Sequence, residues 1–257
     1  MIRPVNLLGV NFLPVGIDVA FREVIKNIPN RNGDFFCLGN IHLVMECRKA
    51  TTLQNMVNQS AANFPDGLGV VIALKLLGCH FDFKVRGTDL MLKLCSYASQ
   101  NNLRIFLYGN TEENLIRLKK RLKVLFPDIN IVGTISPPFR RLTEDENSAL
   151  VSKINDTDPD LLFVSLGATK QERWMAEHRG RIKAIQLGVG AAFDFISGAL
   201  KEAPLWMQKT PLEWLHRLPQ QPKKTIWRMR LLPPFAILGF IQFLKTNGFK
   251  GRNIHFE

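Results

Sequence analysis

The stretch Asn63-Phe64-Pro65-Asp66-Gly67-Leu68-Gly69 sets a carboxylate between a residue that fixes the backbone and two that free it. Pro65 holds its own φ and pushes Phe64 toward extended backbone. Gly67 and Gly69 permit a sharp turn or the close approach of a ligand. The apolar run Val70-Val71-Ile72-Ala73-Leu74 follows at once, so Asp66 stands where a tight turn enters a buried element. An acid placed there can take a proton from a hydroxyl within hydrogen-bond reach. Pro-Asp-Gly is also a common turn sequence, so the rest of the chain must decide between the two readings.

Other polar residues stand at the ends of apolar runs. Asn40 follows Asp34-Phe35-Phe36-Cys37-Leu38-Gly39 and reads either as an Asx-type helix cap or as a ligand contact. Gly167-Ala168-Thr169-Lys170-Gln171-Glu172 places polar side chains at the first turn of a helix, where free N–H groups favour an anion. The plain alternative is that Thr169 caps that helix. Gly188-Val189-Gly190 begins like a dinucleotide fingerprint, but Phe193 stands in place of the third glycine. That argues against a dehydrogenase and leaves a glycine loop beside a phosphate, or an ordinary strand-end turn.

Metal chemistry finds little support. Asp156-Thr157-Asp158 resembles a metal-holding D-x-D, but it runs into Pro159-Asp160 and reads as a solvated turn. The five histidines have no paired spacing, and Cys37, Cys47, Cys79 and Cys95 form no C-x-x-C pair. No metal and no cofactor are expected. The cysteines read as buried free thiols of a reducing compartment. Met1 to Asn6 lacks the form of a signal peptide, so a cytoplasmic protein is expected.

The elements that must position these residues alternate. Val5 to Val19 reads as a hairpin or small meander and Phe21 to Ile28 as a short helix. A strand over 34–38, a helix over 42–50 and a helical piece over 51–62 lead to the Asp66 turn. Val70 to Leu77 reads as a buried helix stopped by Gly78. A short extended piece over 81–85 precedes a helix over 90–99, with Thr88 as its cap. Strands over 103–108, 129–132, 161–166 and 184–187 then alternate with helices opened by Thr111, by the capping box Thr143-Glu144-Asp145-Glu146, and near Lys170. The pattern predicts an α/β fold, a Rossmann-like parallel sheet flanked by helices, with ligands at the C-terminal strand ends.

Charge marks the other end of the chain. The net charge is +12, and from Lys201 onward 10 basic residues face 3 acidic ones. Three of the four tryptophans, Trp206, Trp214 and Trp227, lie there too. A basic, tryptophan-rich tail suits an anionic partner such as phosphate, nucleic acid or a membrane surface. Leu231 to Leu244 is apolar apart from Pro233, Pro234, Gly239 and Gln242, too short for a membrane span and suited to an interfacial or core-buried segment.

Several pieces occur together in order: Asn40 after a strand, Pro65-Asp66-Gly67-x-Gly69, Val85-x-Gly87-x-Asp89-Leu90, Gly167-x-x-Lys170-Gln171-Glu172-x-Trp174 and Gly188-Val189-Gly190-x-x-Phe193-Asp194. Ala203-Pro204-x-Trp206, Leu212-Glu213-Trp214-x-x-Arg217-Leu218 and Pro222 follow. The series resembles the WecG/TagA/CpsF family, bacterial glycosyltransferases of the N-acetylmannosaminyltransferase type, over nearly the whole chain. The resemblance implies an inverting, metal-independent enzyme that moves a sugar from a UDP donor to a sugar on a polyprenyl diphosphate. It implies a Rossmann-like core, 1–205, and a C-terminal basic and apolar appendage, 206–257, that completes the site and touches the inner face of the cell membrane.

Carried over by motif, Asp66 would be the general base. Asn40, Gln171, Gly167 and the glycine loop at Gly188 and Gly190 would face the donor, as would Lys84 and Arg86. Arg217, Lys223, Lys224 and Arg228 would neutralise the diphosphate leaving group. There are departures: Leu38 replaces a frequent threonine, Lys84 a family arginine, Thr169 a frequent proline and Gln221 a frequent glutamate. Lysine at 84 keeps the charge but loses the bidentate fork. The expected partners are a UDP-sugar, a polyprenyl-diphosphate sugar, an anionic membrane surface and, as an open option, a second copy of the chain. UDP-N-acetylmannosamine, its uronic acid and UDP-glucose all remain candidate donors. Two rival readings are a nucleotide or nucleic-acid binding module and a catalytically inactive scaffold. The first is disfavoured because the aromatic residues sit in apolar runs rather than among lysines and arginines.

Overall fold

The computed structural model describes residues 2–81, 84–208, 210 and 212–250, with side chains described to residue 246. A hairpin of β1 (Val5–Leu7) and β2 (Val10–Phe12) opens the chain, followed by α1 (Ile17–Asn27). The helix starts a turn before the expected Phe21, because Ile17 and Val19 also pack on the core. Next come β3 (Phe35–Gly39), α2 (Ile41–Lys49) and α3 (Thr51–Asn58).

The first correction bears on the site. The helical piece expected to reach Ala62 ends at Asn58, and Ala62–Pro65 is a strand, β4. It pairs in parallel with β3, Gly39 opposite Pro65, and forms one edge of the sheet. Pro65 is tolerated because an edge strand needs no donor on its open side. Next is α4 (Leu68–Leu76), whose Ile72 and Leu76 are about half exposed, so it is not the fully buried helix its apolar run suggested. The extended piece expected over 81–85 lies partly outside the described residues. Then α5 (Gly87–Gln100) begins at Gly87, with Thr88 inside its first turn rather than capping it.

The regular half matches its sequence pattern: β5 (Arg104–Gly109), α6 (Glu112–Leu125), β6 (Asn130–Ile135), α7 (Glu144–Asp156), β7 (Leu161–Ser165), α8 (Lys170–Glu177) and β8 (Ile185–Gly188). Thr111 caps α6 by accepting from the Asn114 N–H, and Thr143 and Glu146 form the capping box of α7. The six parallel strands run in the order β4-β3-β8-β7-β5-β6. Buried apolar side chains cover both faces, Phe36, Leu107, Phe163 and Leu187 on one and Phe35, Phe106, Leu162 and Val164 on the other. All four cysteines are buried and free. The D-x-D candidate is an ion-paired turn, with Asp158 held by Arg31 and Arg104.

The C-terminal part is helical: α9 (Ala192–Ile196), α10 (Leu205–Gln208), α11 (Glu213–Arg217), α12 (Pro222–Met229) and α13 (Leu232–Lys250). Pro233 and Pro234 fall in the first turn of α13, where a missing N–H breaks no helical bond, so they open the helix rather than interrupt it. Phe235 is buried against the cluster of hairpin, α2, α3 and α4. The Gln242 side chain clamps the hairpin, accepting from the Leu8 N–H at 2.8 Å and donating to the Asn6 carbonyl at 2.7 Å. The opposite face of α13 exposes Ile237, Phe240, Ile241 and Leu244. No described helix is long and apolar enough to cross a membrane.

Candidate active site

The C-terminal ends of β3, β4, β5, β7 and β8 open into one cleft of about 1710 Å³. Because the strands are parallel, the residue after each strand arrives on the same side of the sheet. Asn40 follows β3 and Asp66 follows β4, and the pairing of Gly39 with Pro65 sets the two side by side. The Asp66 N–H donates to the Gly39 carbonyl at 2.8 Å, which fixes the acid to its neighbouring strand. Gly67 then turns with φ +89°, a conformation that L side chains rarely adopt, and lets α4 leave directly from the acid. Gly87 closes the opposite wall. A Cβ there would lie 2.7 Å from the Val189 carbonyl oxygen, so only glycine lets α5 start against the β8 loop.

Asp66 is partly exposed, on the floor of the cleft. Burial pushes its carboxyl up to about 6, while Lys84, Arg217 and Arg86 pull it down and Glu213 pushes it up. An acid poised there is ionised at neutral pH and still basic enough to accept a proton. The cations come from two distant parts of the chain. Lys84 and Arg86 precede α5, and Arg217 and Arg228 belong to α11 and α12. Arg86 pairs with Asp89 and Glu202, both at 3.0 Å. Arg217 lies over the Phe195 ring, 5.1 Å from its centre. Arg228 lines the cleft, and loss of hydration there, then the nearby Arg217, hold it below the usual arginine value, with Asp66 opposing.

The other wall carries the polar turn after β7. Gln171 is buried, donates to Glu172 at 2.9 Å, and keeps its Oε1 without a protein partner beside Gly190. Glu172 accepts from the Thr169 N–H at 2.6 Å, and burial raises its carboxyl to about 7. Asn40 caps α2, its Oδ1 accepting from the Leu43 N–H at 3.1 Å, and its side chain still lines the cleft. The cap and contact readings are therefore compatible.

The cleft brings together Asp66, Asn40, Lys84, Arg86, Gly167, Gln171, Gly188, Gly190, Arg217, Lys224 and Arg228. Lys223 does not line it: one residue from Lys224 on α12, it points to another face of the helix and is exposed. Sequence reasoning gave no role to several residues found here. Asn110, left-handed at φ 64°, donates to Asp194 at 2.7 Å, and Asn114 donates to the same oxygen at 2.9 Å. The signal was available, since Gly109-Asn110 is a strand end and Asp194 closes the glycine-loop motif. Trp174 stacks between Tyr108 and His178, and His42 meets the Trp227 ring edge-on at 4.6 Å. No sequence signal announced these contacts, which join distant elements. Among the described residues, no group of three or more His, Cys, Asp or Glu side chains is placed to hold a metal ion.

Known proteins share this chain's sequence along most of its length. The description "Glycosyl transferase WecG/TagA/CpsF family" fits residues 5–248. A Bacillus subtilis (strain 168) protein named N-acetylglucosaminyldiphosphoundecaprenol N-acetyl-beta-D-mannosaminyltransferase is 32% identical over 182 residues, 69% of this chain and 68% of its own length. Proteins of the same name from Bacillus spizizenii (30% identical, 80% of this chain and 78% of theirs) and Staphylococcus aureus strain MW2 (26%, 90% of each) are also similar. With a match of this extent around a cleft built at the strand ends, the chain belongs to the WecG/TagA/CpsF family and is a glycosyltransferase.

Proposed function

We propose that this chain transfers a sugar, N-acetylmannosamine or a close relative, from a UDP donor to a sugar carried on a polyprenyl diphosphate. The observation that carries the reading is Asp66, a carboxyl at the end of β4 that lines the strand-end cleft together with Lys84, Arg86, Arg217 and Arg228. The relatives' names describe an acceptor of N-acetylglucosamine on undecaprenyl diphosphate and a β-linked product. A single displacement on an α-linked UDP-sugar yields that configuration, so the reaction is inverting in this reading.

Asp66 accepts the proton of the acceptor hydroxyl as its oxygen attacks the anomeric carbon. The bond from that carbon to the UDP oxygen breaks, and its electron pair leaves with the diphosphate. Charge builds on the leaving group in the transition state, where Arg217, Arg228 and Lys224 lower its energy. Lys84 and Arg86 flank Asp66 from the core and hold the donor. Gln171, with a free carbonyl oxygen beside the glycine loop, offers an acceptor for a donor hydroxyl or N–H. Fixed cations supply the charge neutralisation, so no metal is required.

Residues 1–205 form the donor-holding core in this assignment, and 206–257 close the site and meet the membrane. The exposed apolar face of α13, with Arg228, Arg230 and Lys245 near its ends, suits the surface of an anionic leaflet at the cytoplasmic side. The test is a screen of UDP-sugars against a polyprenyl-diphosphate N-acetylglucosamine or glucose acceptor, with product detected by mass. Transfer from a UDP-hexosamine is expected. Absence of product with every UDP-sugar would refute the donor assignment.

A further inference from the structure

The ion pairs across the cleft converge on one carboxylate, Glu213, the first residue of α11. Its Oε2 accepts from Lys84 Nζ at 2.7 Å and its Oε1 from Arg217 Nη2 at 2.5 Å. The Lys84 side chain is 3% exposed and that of Glu213 20%, so the contact is shielded from water and from salt. Lys84 belongs to the core. The next residue ties it to the acid: the Val85 N–H donates to the carbonyl of Pro65, beside Asp66, at 2.8 Å. Arg217 belongs to the C-terminal helices, one turn along from Glu213. The carboxylate thus joins a core cation to an appendage cation across the cleft. Among the described residues, Asp66, Lys84, Arg86, Arg217, Lys224 and Arg228 share this cleft with Glu213, and Arg86 is paired in turn with Asp89 and Glu202.

We propose that Glu213 is a positioning residue: by bridging Lys84 and Arg217 it locks α11 and α12 onto the core and fixes both cations beside Asp66. Its catalytic consequence rests on the transferase reading above, whereas the lock itself does not. Without the carboxylate, two cations would face each other across the cleft, and repulsion would open the appendage. With it, the cations are aimed before the diphosphate arrives, so less reorganisation is needed at the moment of transfer. Glu213 touches no substrate in this scheme.

Glu213→Gln removes the charge at nearly constant size. Amide hydrogen exchange on the full chain compares wild type, E213Q, K84M and the double variant. Exchange across 212–229 is expected to be at least about tenfold faster in E213Q, while strands 104–109 and 161–165 stay protected and report a folded core. The double variant should be no more open than E213Q, since the two side chains act as one unit. In transfer assays, kcat should fall about tenfold or more, because Arg217 is no longer held beside Asp66 when charge builds on the leaving group. Glu213→Asp should recover part of both effects. Unchanged exchange across 212–229, additive effects of the two substitutions, a kcat equal to wild type, or no recovery in Glu213→Asp would each overturn the proposal. Exchange is read without substrate, so failure of the wild type to use any UDP-sugar would refute the donor assignment while leaving the lock to be decided by exchange.

Discussion

At the scale of single residues, the site is a carboxyl with its charge balanced against burial. Burial raises Asp66 to about 6 against the ordinary 3.8, and Lys84, Arg217 and Arg86 limit the rise. The activity of a base with that value should fall about tenfold per pH unit below about 6, read as kcat/KM against pH. Stability runs the other way. A carboxyl whose folded pKa is raised destabilises the fold as pH climbs from about 4 through about 6. Asp66→Asn should therefore raise the thermal midpoint above pH 6, by the equivalent of about 1–2 kcal/mol, with no gain below pH 4. Neighbouring cations separate in the same way. Arg217→Ala should lower kcat about a hundredfold, as loss of a group that stabilises developing charge does. Lys223→Ala should stay within about twofold of wild type, because Lys223 is outside the cleft lining. Steady-state kinetics on the two variants checks both.

At the scale of elements, legibility followed local signal. The alternation from β5 to β8 was readable because each helix carries its own start, such as Thr111 and the Thr143 capping box. The strand that leads into Asp66 was not. β4 has only four residues, one of them Pro65 and another the buried amide Asn63, and its strand character comes from pairing with β3. Asn40, Asp66 and Gln171 were legible as polar residues after apolar runs. The Lys84–Glu213 pair was not, since it spans 129 residues and no local pattern encodes it. The last helix illustrates the same limit: the apolar run 231–244 gave no helix boundary, and Pro233-Pro234 falls in the first turn of α13. Phe235 and Gln242 hold that helix on the hairpin. Phe235→Ala should loosen α13 by about 3 kcal/mol without unfolding the sheet, seen as faster exchange in 232–246 alone.

For the whole molecule, net charge and apolar exposure collect at one end. Arg217, Lys223, Lys224, Arg228 and Lys245 lie on α11, α12 and α13, and α12 and α13 also expose Trp227, Ile237 and Phe240. A surface of this kind suits reversible attachment, with each cation near an anionic leaflet contributing about 1 kcal/mol. Binding to vesicles containing anionic lipid should exceed binding to neutral vesicles and weaken as salt rises, measured by co-sedimentation. Removal of 210–257 should abolish it. The same removal takes away Arg217 and Arg228, so attachment and turnover should be lost together.

In the proposed reaction Asp66 takes the acceptor's proton. That step is tested most directly by comparing wild type and Asp66→Asn in transfer from the UDP-sugar that the screen identifies, with UDP binding measured alongside by calorimetry. Transfer is expected to fall by about a hundredfold to ten-thousandfold while UDP affinity and the fold are kept. Turnover of the variant equal to that of wild type would contradict it.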